Sequence, residues 1–181
     1  RCDWDATRIM ELGTDIANGV LLTLNQPAMT TNRFAGTDNR EAFDAVLMGE
    51  RALNRRTGEG IKDSIEWFQK AIDLDPAYLR AYILLAMAIE SQFTYTKVHA
   101  DEEDVLKERQ RQAVKIAEKL DRNSPDAIAF TGRLHLMEYT PTAIRAFQRA
   151  LELDPNHQPS MLWYAWAVGN IYPDDPEKSL E

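Results

Sequence analysis

Three histidines, one cysteine and a short glycine-containing turn are the residues from which this sequence could build chemistry. His99, His135 and His157 stand far apart. None lies three or four residues from another His or from Cys2, the spacing that would bring two ligands to one metal ion. His99 has Asp101, Glu102 and Glu103 close by in sequence, a grouping that offers donors for a cation or partners for a proton-sensing imidazole. His135 falls in a helical segment and reads as structural. Thr57-Gly58-Glu59-Gly60 lacks the Lys and the preceding strand of a phosphate-binding loop. No Ser or Cys has the surroundings of a nucleophile elbow. The remaining carboxylates sit at helix ends and on polar faces, where solvation accounts for them. No residue set here points to catalysis, to a cofactor or to a metal, so these 181 residues are expected not to form an enzyme.

The charge balance narrows the partners. Twenty-one basic and 29 acidic residues leave a net charge of −8. Such a chain is repelled by a phosphate backbone and by anionic lipid, so direct nucleic-acid binding is not expected. Arg51, Arg55 and Arg56 form a short basic group without aromatic interleaving and read as a solvated helix face. The apolar stretch at 81–89 is too short to cross a bilayer, so no membrane insertion is expected. Apolar residues at 44% and charged residues at 28% describe an ordinary globular chain. One cysteine rules out an internal disulfide.

The elements that would position any site come from internal repetition. Lys70-Ala71-Ile72-Asp73-Leu74-Asp75-Pro76, Ile116-Ala117-Glu118-Lys119-Leu120-Asp121-Arg122 and Arg149-Ala150-Leu151-Glu152-Leu153-Asp154-Pro155 end alike. Aligned on Ala71, Ala117 and Ala150, they superpose Phe68, Val114 and Phe147, and then Ile65, Arg111 and Ile144. Small residues recur in the adjoining helices at Gly49, Ala86, Gly132 and Ala165. A small side chain at one point of each helix lets two helices cross closely. The Pro after Leu-Asp is expected to stop the second helix and set the turn.

Helices are expected at 41–54, 61–74, 77–92, 103–120, 125–137, 141–153 and 158–170. Thr140-Pro141 and Asp174-Asp175-Pro176 have the capping residue and first-turn Pro of helix starts. Pro176-Glu177-Lys178-Ser179-Leu180 reads as the opening of an eighth. Residues 5–24 carry Ile9, Leu12, Ile16, Val20 and Leu24 at helical spacing, followed by a polar linker over 25–39.

This recurrence resembles the tetratricopeptide repeat, a helix–turn–helix unit of about 34 residues. The resemblance implies an all-α solenoid of antiparallel helix pairs with an extra N-terminal helix. The expected organisation is 1–39 as helix and linker, then repeats at about 41–76, 77–122, 123–155 and, in part, 156–181. The spacings depart from the family's. Gly49 to Ala86 carries extra residues at 55–60, and Ala86 to Gly132 carries a longer insertion at 92–104. Arg122 stands where the other endings have Pro. The insertion, rich in polar and aromatic residues, is a natural place for specificity.

Two stretches resemble something narrower. Asp44-Ala45-Val46-Leu47-Met48-Gly49-Glu50-Arg51-Ala52-Leu53-Asn54-Arg55-Arg56-Thr57 resembles the repeat opening of bacterial multidomain signalling proteins. Arg1-Cys2-Asp3-Trp4-Asp5 with Ile9 to Ala17 resembles the last strand and helix of a TolB-like α/β domain. That layout occurs in winged-helix (ToxR-like) transcriptional regulators and in class III adenylate cyclases. The resemblance implies a sensory or interaction segment, a fragment at both ends, with the output domain upstream. It implies a cytoplasmic location, or a periplasmic one if the parent is a membrane-bound regulator. The alternative is a stand-alone adaptor.

In the repeat family the first helix of each pair lines a concave groove that takes a protein or peptide. Carried over, the groove positions are Val46, Glu50 and Leu53; Ile83, Met87 and Glu90; Ala129, Arg133 and Leu136; and Leu162, Trp166 and Asn170. The strongest candidates are Val46, Glu50, Ile83, Met87, Glu90, Arg133, Leu162 and Trp166. Several of these side chains would equally serve to pack helices together. The expected partner is a protein segment or a second copy of the chain. Arg133 is nearly alone as a cation, so the carboxylate clamp that heat-shock co-chaperones use for acidic tails is not expected. Trp163 and Trp166 are anchors of the kind interfaces favour.

Overall fold

The computed structural model describes residues 36–136 and 140–171. These form α1 (Arg40–Leu53), α2 (Gly58–Leu74), α3 (Leu79–Tyr95), α4 (Ala100–Leu120), α5 (Pro125–His135), α6 (Thr140–Leu153) and α7 (Gln158–Ile171). No strand occurs among the described residues. The expected helix at 5–24, the TolB-like strand and the helix opening at 176–180 lie outside them.

Helix α1 starts where Asn39 can cap it. The Asn39 side chain accepts from the Ala42 N–H at 3.1 Å and donates to the Leu74 carbonyl at 2.9 Å. One residue thereby satisfies an orphan donor of α1 and an orphan carbonyl of α2. The Thr37 hydroxyl donates to the Asp75 carboxylate at the same junction. Ala42, Ala45, Val46, Gly49 and Ala52 then recur every three or four residues and are buried. They meet the buried face of α2, which carries Ile61, Ile65, Phe68 and Ile72.

Helix α2 starts at Gly58, three residues before the expected position. Thr57 is its N-cap and accepts from the Gly60 N–H at 3.1 Å. Propensity argues against two glycines in a helix, but sterics require the second one. A Cβ on Gly60 would lie 2.6 Å from the Ala52 carbonyl oxygen of α1.

The recurrent endings share one turn, and Asp makes it. The side chains of Asp75, Asp121 and Asp154 accept from the N–H groups of Ala77, Asn123 and Asn156 at 3.0, 2.9 and 2.9 Å. Their backbone carbonyls accept from Tyr78, Ser124 and His157 in turn. Pro76 and Pro155 are therefore not what sets the turn. Arg122 fits without disturbance because the hydrogen bonds come from the residue before it.

The insertion at 92–104 is mostly helix rather than loop. Helix α3 runs on to Tyr95 and α4 begins at Ala100, leaving residues 96–99 between them. The hydroxyls of Ser91, Thr94 and Thr96 bond back to carbonyls four residues earlier. Asp101, Glu102 and Glu103 occupy the first turn of α4, where the helix dipole favours negative charge. His99 is the N-cap of that helix. The grouping of His99 with three acids is thus the start of a helix, and no metal-holding cluster of His, Cys, Asp and Glu occurs among the described residues.

Each helix packs on the next, and α1·α3, α3·α5 and α5·α7 also touch. The even-numbered helices stand farther apart across the repeats, where the long Arg109 side chain of α4 donates to Gln69 of α2 at 2.9 Å. The odd helices are therefore the inner layer of a curved stack, and the even ones the outer layer. Helix pairs close through small-against-large contacts. A Cβ on Gly49 would lie 2.5 Å from the Phe68 ring, and one on Gly132 would lie 2.8 Å from the Phe147 ring. Ala86 is fully buried in the intervening pair. Ala165, aligned with these three, is exposed on α7. The described residues form an all-α, tetratricopeptide-like solenoid.

Candidate functional site

The inner layer carries a cleft of about 460 Å³ between α3, α5 and the start of α7. Ile83, Met87, Ala129 and Phe130 form an apolar floor, with Tyr95 and Trp163 at the sides. Glu90, Asp126 and Arg133 supply its charges. A second hollow of about 640 Å³ lies between the first half of α3 and the turn from α4 into α5, lined in part by Arg80, Leu84, Asp121 and Ser124. Ile83, Met87 and Asp126 belong to both, so the two run together along the inner layer.

The charges are held in fixed pairs. Arg80 on α3 bonds Glu50 on α1 at 2.6 Å. Arg133 on α5 bonds Glu90 on α3, and its guanidinium stacks on the Trp163 ring of α7 at 4.2 Å. That contact joins three inner helices through one side chain. Burial pushes the Glu90 carboxyl above its ordinary range, against the opposing pull of Arg133. Partial burial disfavours the Arg80 cation, but the hydrogen bond and charge of Glu50 more than offset this and raise its pKa.

His157 forms a third link. Its Nδ1 is 2.7 Å from Ser160 Oγ and its Nε2 is 3.1 Å from Asp126 Oδ1. Ser, His and Asp in a chain are the parts of a hydrolase triad, but the geometry does not serve one. Ser160 is completely buried, so no substrate carbonyl can approach its oxygen. The arrangement instead ties α5 to the first turn of α7.

The sequence-derived groove positions divide. Glu50, Met87, Glu90 and Arg133 reach the inner surface, and Met87 is 41% exposed. Val46 and Ile83 are buried at 1% and 7% exposure. Val46 packs within the core, and Ile83 offers only an edge to the cleft floor. Ala129 and Leu136 are buried as well. Leu162 and Trp166 are exposed on α7 but do not line the cleft. The Asn170 side chain lies outside what is described.

Sequence reasoning missed Arg80, Asp126, Phe130, Tyr95 and the cleft role of Trp163. The signal for two of them was present. Arg80 precedes Ile83 by three residues, and Asp126 precedes Ala129 by three, so one more helical turn in the same register reaches both. Arg133 is joined by Arg80, and each is matched by a carboxylate.

No protein-family model matches the chain. No curated protein matches it either. Among solved structures, it is similar to the first tetratricopeptide domain of Spaghetti (RPAP3), solved bound to the HSP90 peptide SRMEEVD. The TM-score is 0.56 at 17% identity, over 75% of this chain and 97% of that one. The likeness is one of fold.

Proposed function

We propose that this chain is a protein-interaction module, non-catalytic in itself, that holds a segment of another protein along its inner layer. The cleft between α3, α5 and α7 carries the reading. Its apolar floor, flanking aromatic side chains and fixed ion pairs are the makings of a peptide anchor site. The fold relative is itself a peptide complex, which supports a protein or peptide as partner. A photo-crosslinking residue in place of Met87, compared with one in place of Lys115 on outer helix α4, tests it. Adducts to a discrete partner from position 87, absent from position 115, are expected. Adducts from position 115 alone would end the reading.

The finer reading is a sensory or interaction segment of a bacterial signalling protein, either a winged-helix regulator or an adenylate cyclase, acting in the cytoplasm. The resemblance of Asp44 to Thr57 and of Arg1 to Ala17 supports it. In that reading, residues 1–39 close a preceding α/β domain. Sequencing the gene upstream tests it: a winged-helix or cyclase domain is expected, and a start codon immediately before Arg1 would refute it.

A further inference from the structure

Resting on the groove reading above, we propose that the partner is a basic–apolar segment: one large apolar side chain seated on Met87, with a Lys or Arg beside it facing Asp126. The charge layout of the inner layer argues for this. Its two arginines, Arg80 and Arg133, are each already bonded to a carboxylate of the neighbouring inner helix. Arg133 is further covered by the Trp163 ring. An acidic ligand would have to displace Glu50 or Glu90 and leave that carboxylate uncompensated beside it.

The acids are not balanced in return. The two joined hollows are lined by Arg80 and Arg133 and by Glu90, Asp121 and Asp126, with Glu50 of α1 paired to Arg80 at their edge. Two cations against four carboxylates leave these two hollows negative, in keeping with the acidic chain as a whole. Asp126 is the carboxylate placed for a ligand. It stands at the lip shared by both hollows, and its side chain is 62% exposed, bonding the edge of His157 and lying within the field of Arg80. Met87 lies between the hollows and is exposed where the floor around it is covered. An unbranched thioether there adapts to aliphatic or aromatic side chains alike.

A random-peptide library displayed on phage, selected against the chain, tests the proposal. Three probes are then measured by fluorescence anisotropy: an enriched peptide, the same peptide with its basic residue changed to norleucine, and the same peptide with that residue changed to Glu. Enriched peptides are expected to pair a Leu, Met or Phe with a Lys or Arg within four residues. The Glu-bearing peptide is expected to bind at least about tenfold more weakly than the enriched one, in keeping with the cost of like charges across an interface. Asp126→Asn keeps an oxygen for His157 and should weaken the basic peptide about threefold, as befits an exposed ion pair. The norleucine peptide should be unaffected by it, and the difference should vanish in about 1 M salt, where charges are screened.

Each contrary result has its own meaning. Enrichment of acidic peptides that lose affinity on Arg80→Ala or Arg133→Ala would overturn the charge assignment and leave the groove reading standing. Enriched peptides indifferent to Met87→Glu, in protein with unchanged circular dichroism, would overturn the groove reading and this proposal with it.

Discussion

Replacing Gly49 with Ala should destabilise the protein even though Ala is the better helix former. The added Cβ would sit 2.5, 2.7 and 2.9 Å from three atoms of the Phe68 ring. Ordinary carbon contacts are about 3.5–4.0 Å, so the ring or the whole of α2 must retreat by about 1 Å. Phe68 is completely buried among Ile61, Ile65 and Ala71 and has nowhere to turn. Overpacking of this kind costs about 1–3 kcal/mol. The gain in helix propensity returns about 1 kcal/mol. The net loss is then up to about 2 kcal/mol, read as a lower urea midpoint at unchanged m-value. Gly169→Ala is the control, because a Cβ there meets nothing within 4 Å, and it should be neutral or stabilising. Phe68→Leu should make Gly49→Ala cheaper, giving a non-additive double-mutant cycle. If Gly49→Ala stabilises as much as Gly169→Ala does, the close crossing of α1 and α2 is not as described.

Two further outcomes follow from single side chains. Tyr78 is fully buried, and its hydroxyl finds no hydrogen-bond partner among the described residues. Tyr78→Phe should therefore be neutral or stabilising by up to about 1 kcal/mol in chemical denaturation. Burial also pushes the Tyr78 pKa up to about 12 from 10.0. A raised folded-state pKa means its contribution is complete below pH 10 and is lost as pH rises toward 12. That loss approaches about 3 kcal/mol, and Tyr78→Phe should abolish it in stability curves taken across this range. Asp121→Ala removes the side-chain acceptor of the turn between α4 and α5 and should cost about 1 kcal/mol in urea unfolding. Asp121→Asn, which retains an oxygen, should cost less.

The fold was legible because it is written in spacing. Ala71, Ala117 and Ala150 are all fully buried, as a repeat aligned on them requires. Expected helices stop at 92 and resume at 103, whereas the Ser91 and Thr94 hydroxyls bond back along a longer α3 and Asp101, Glu102 and Glu103 fill the first turn of a longer α4. The turns were credited to Pro because Pro is conspicuous, while the working atoms are the Asp oxygens. The site was only half legible. Helical periodicity says which residues share a face, but not which of them a neighbouring helix covers, and so Val46 was offered to a partner although the core takes it. The pairs Glu50–Arg80 and Glu90–Arg133 join residues 30 and 43 apart, a separation no local pattern reveals.

The central claim is that the inner layer around Met87 holds a protein segment. Methyl NMR on methionine-labelled protein tests it most directly, because Met87 lines the cleft while exposed Met48 lies beside Trp67 and Lys70. Titration with a library-selected peptide should shift and broaden the Met87 methyl signal saturably and leave that of Met48 in place. A saturable shift at Met48 with Met87 unmoved would contradict the account.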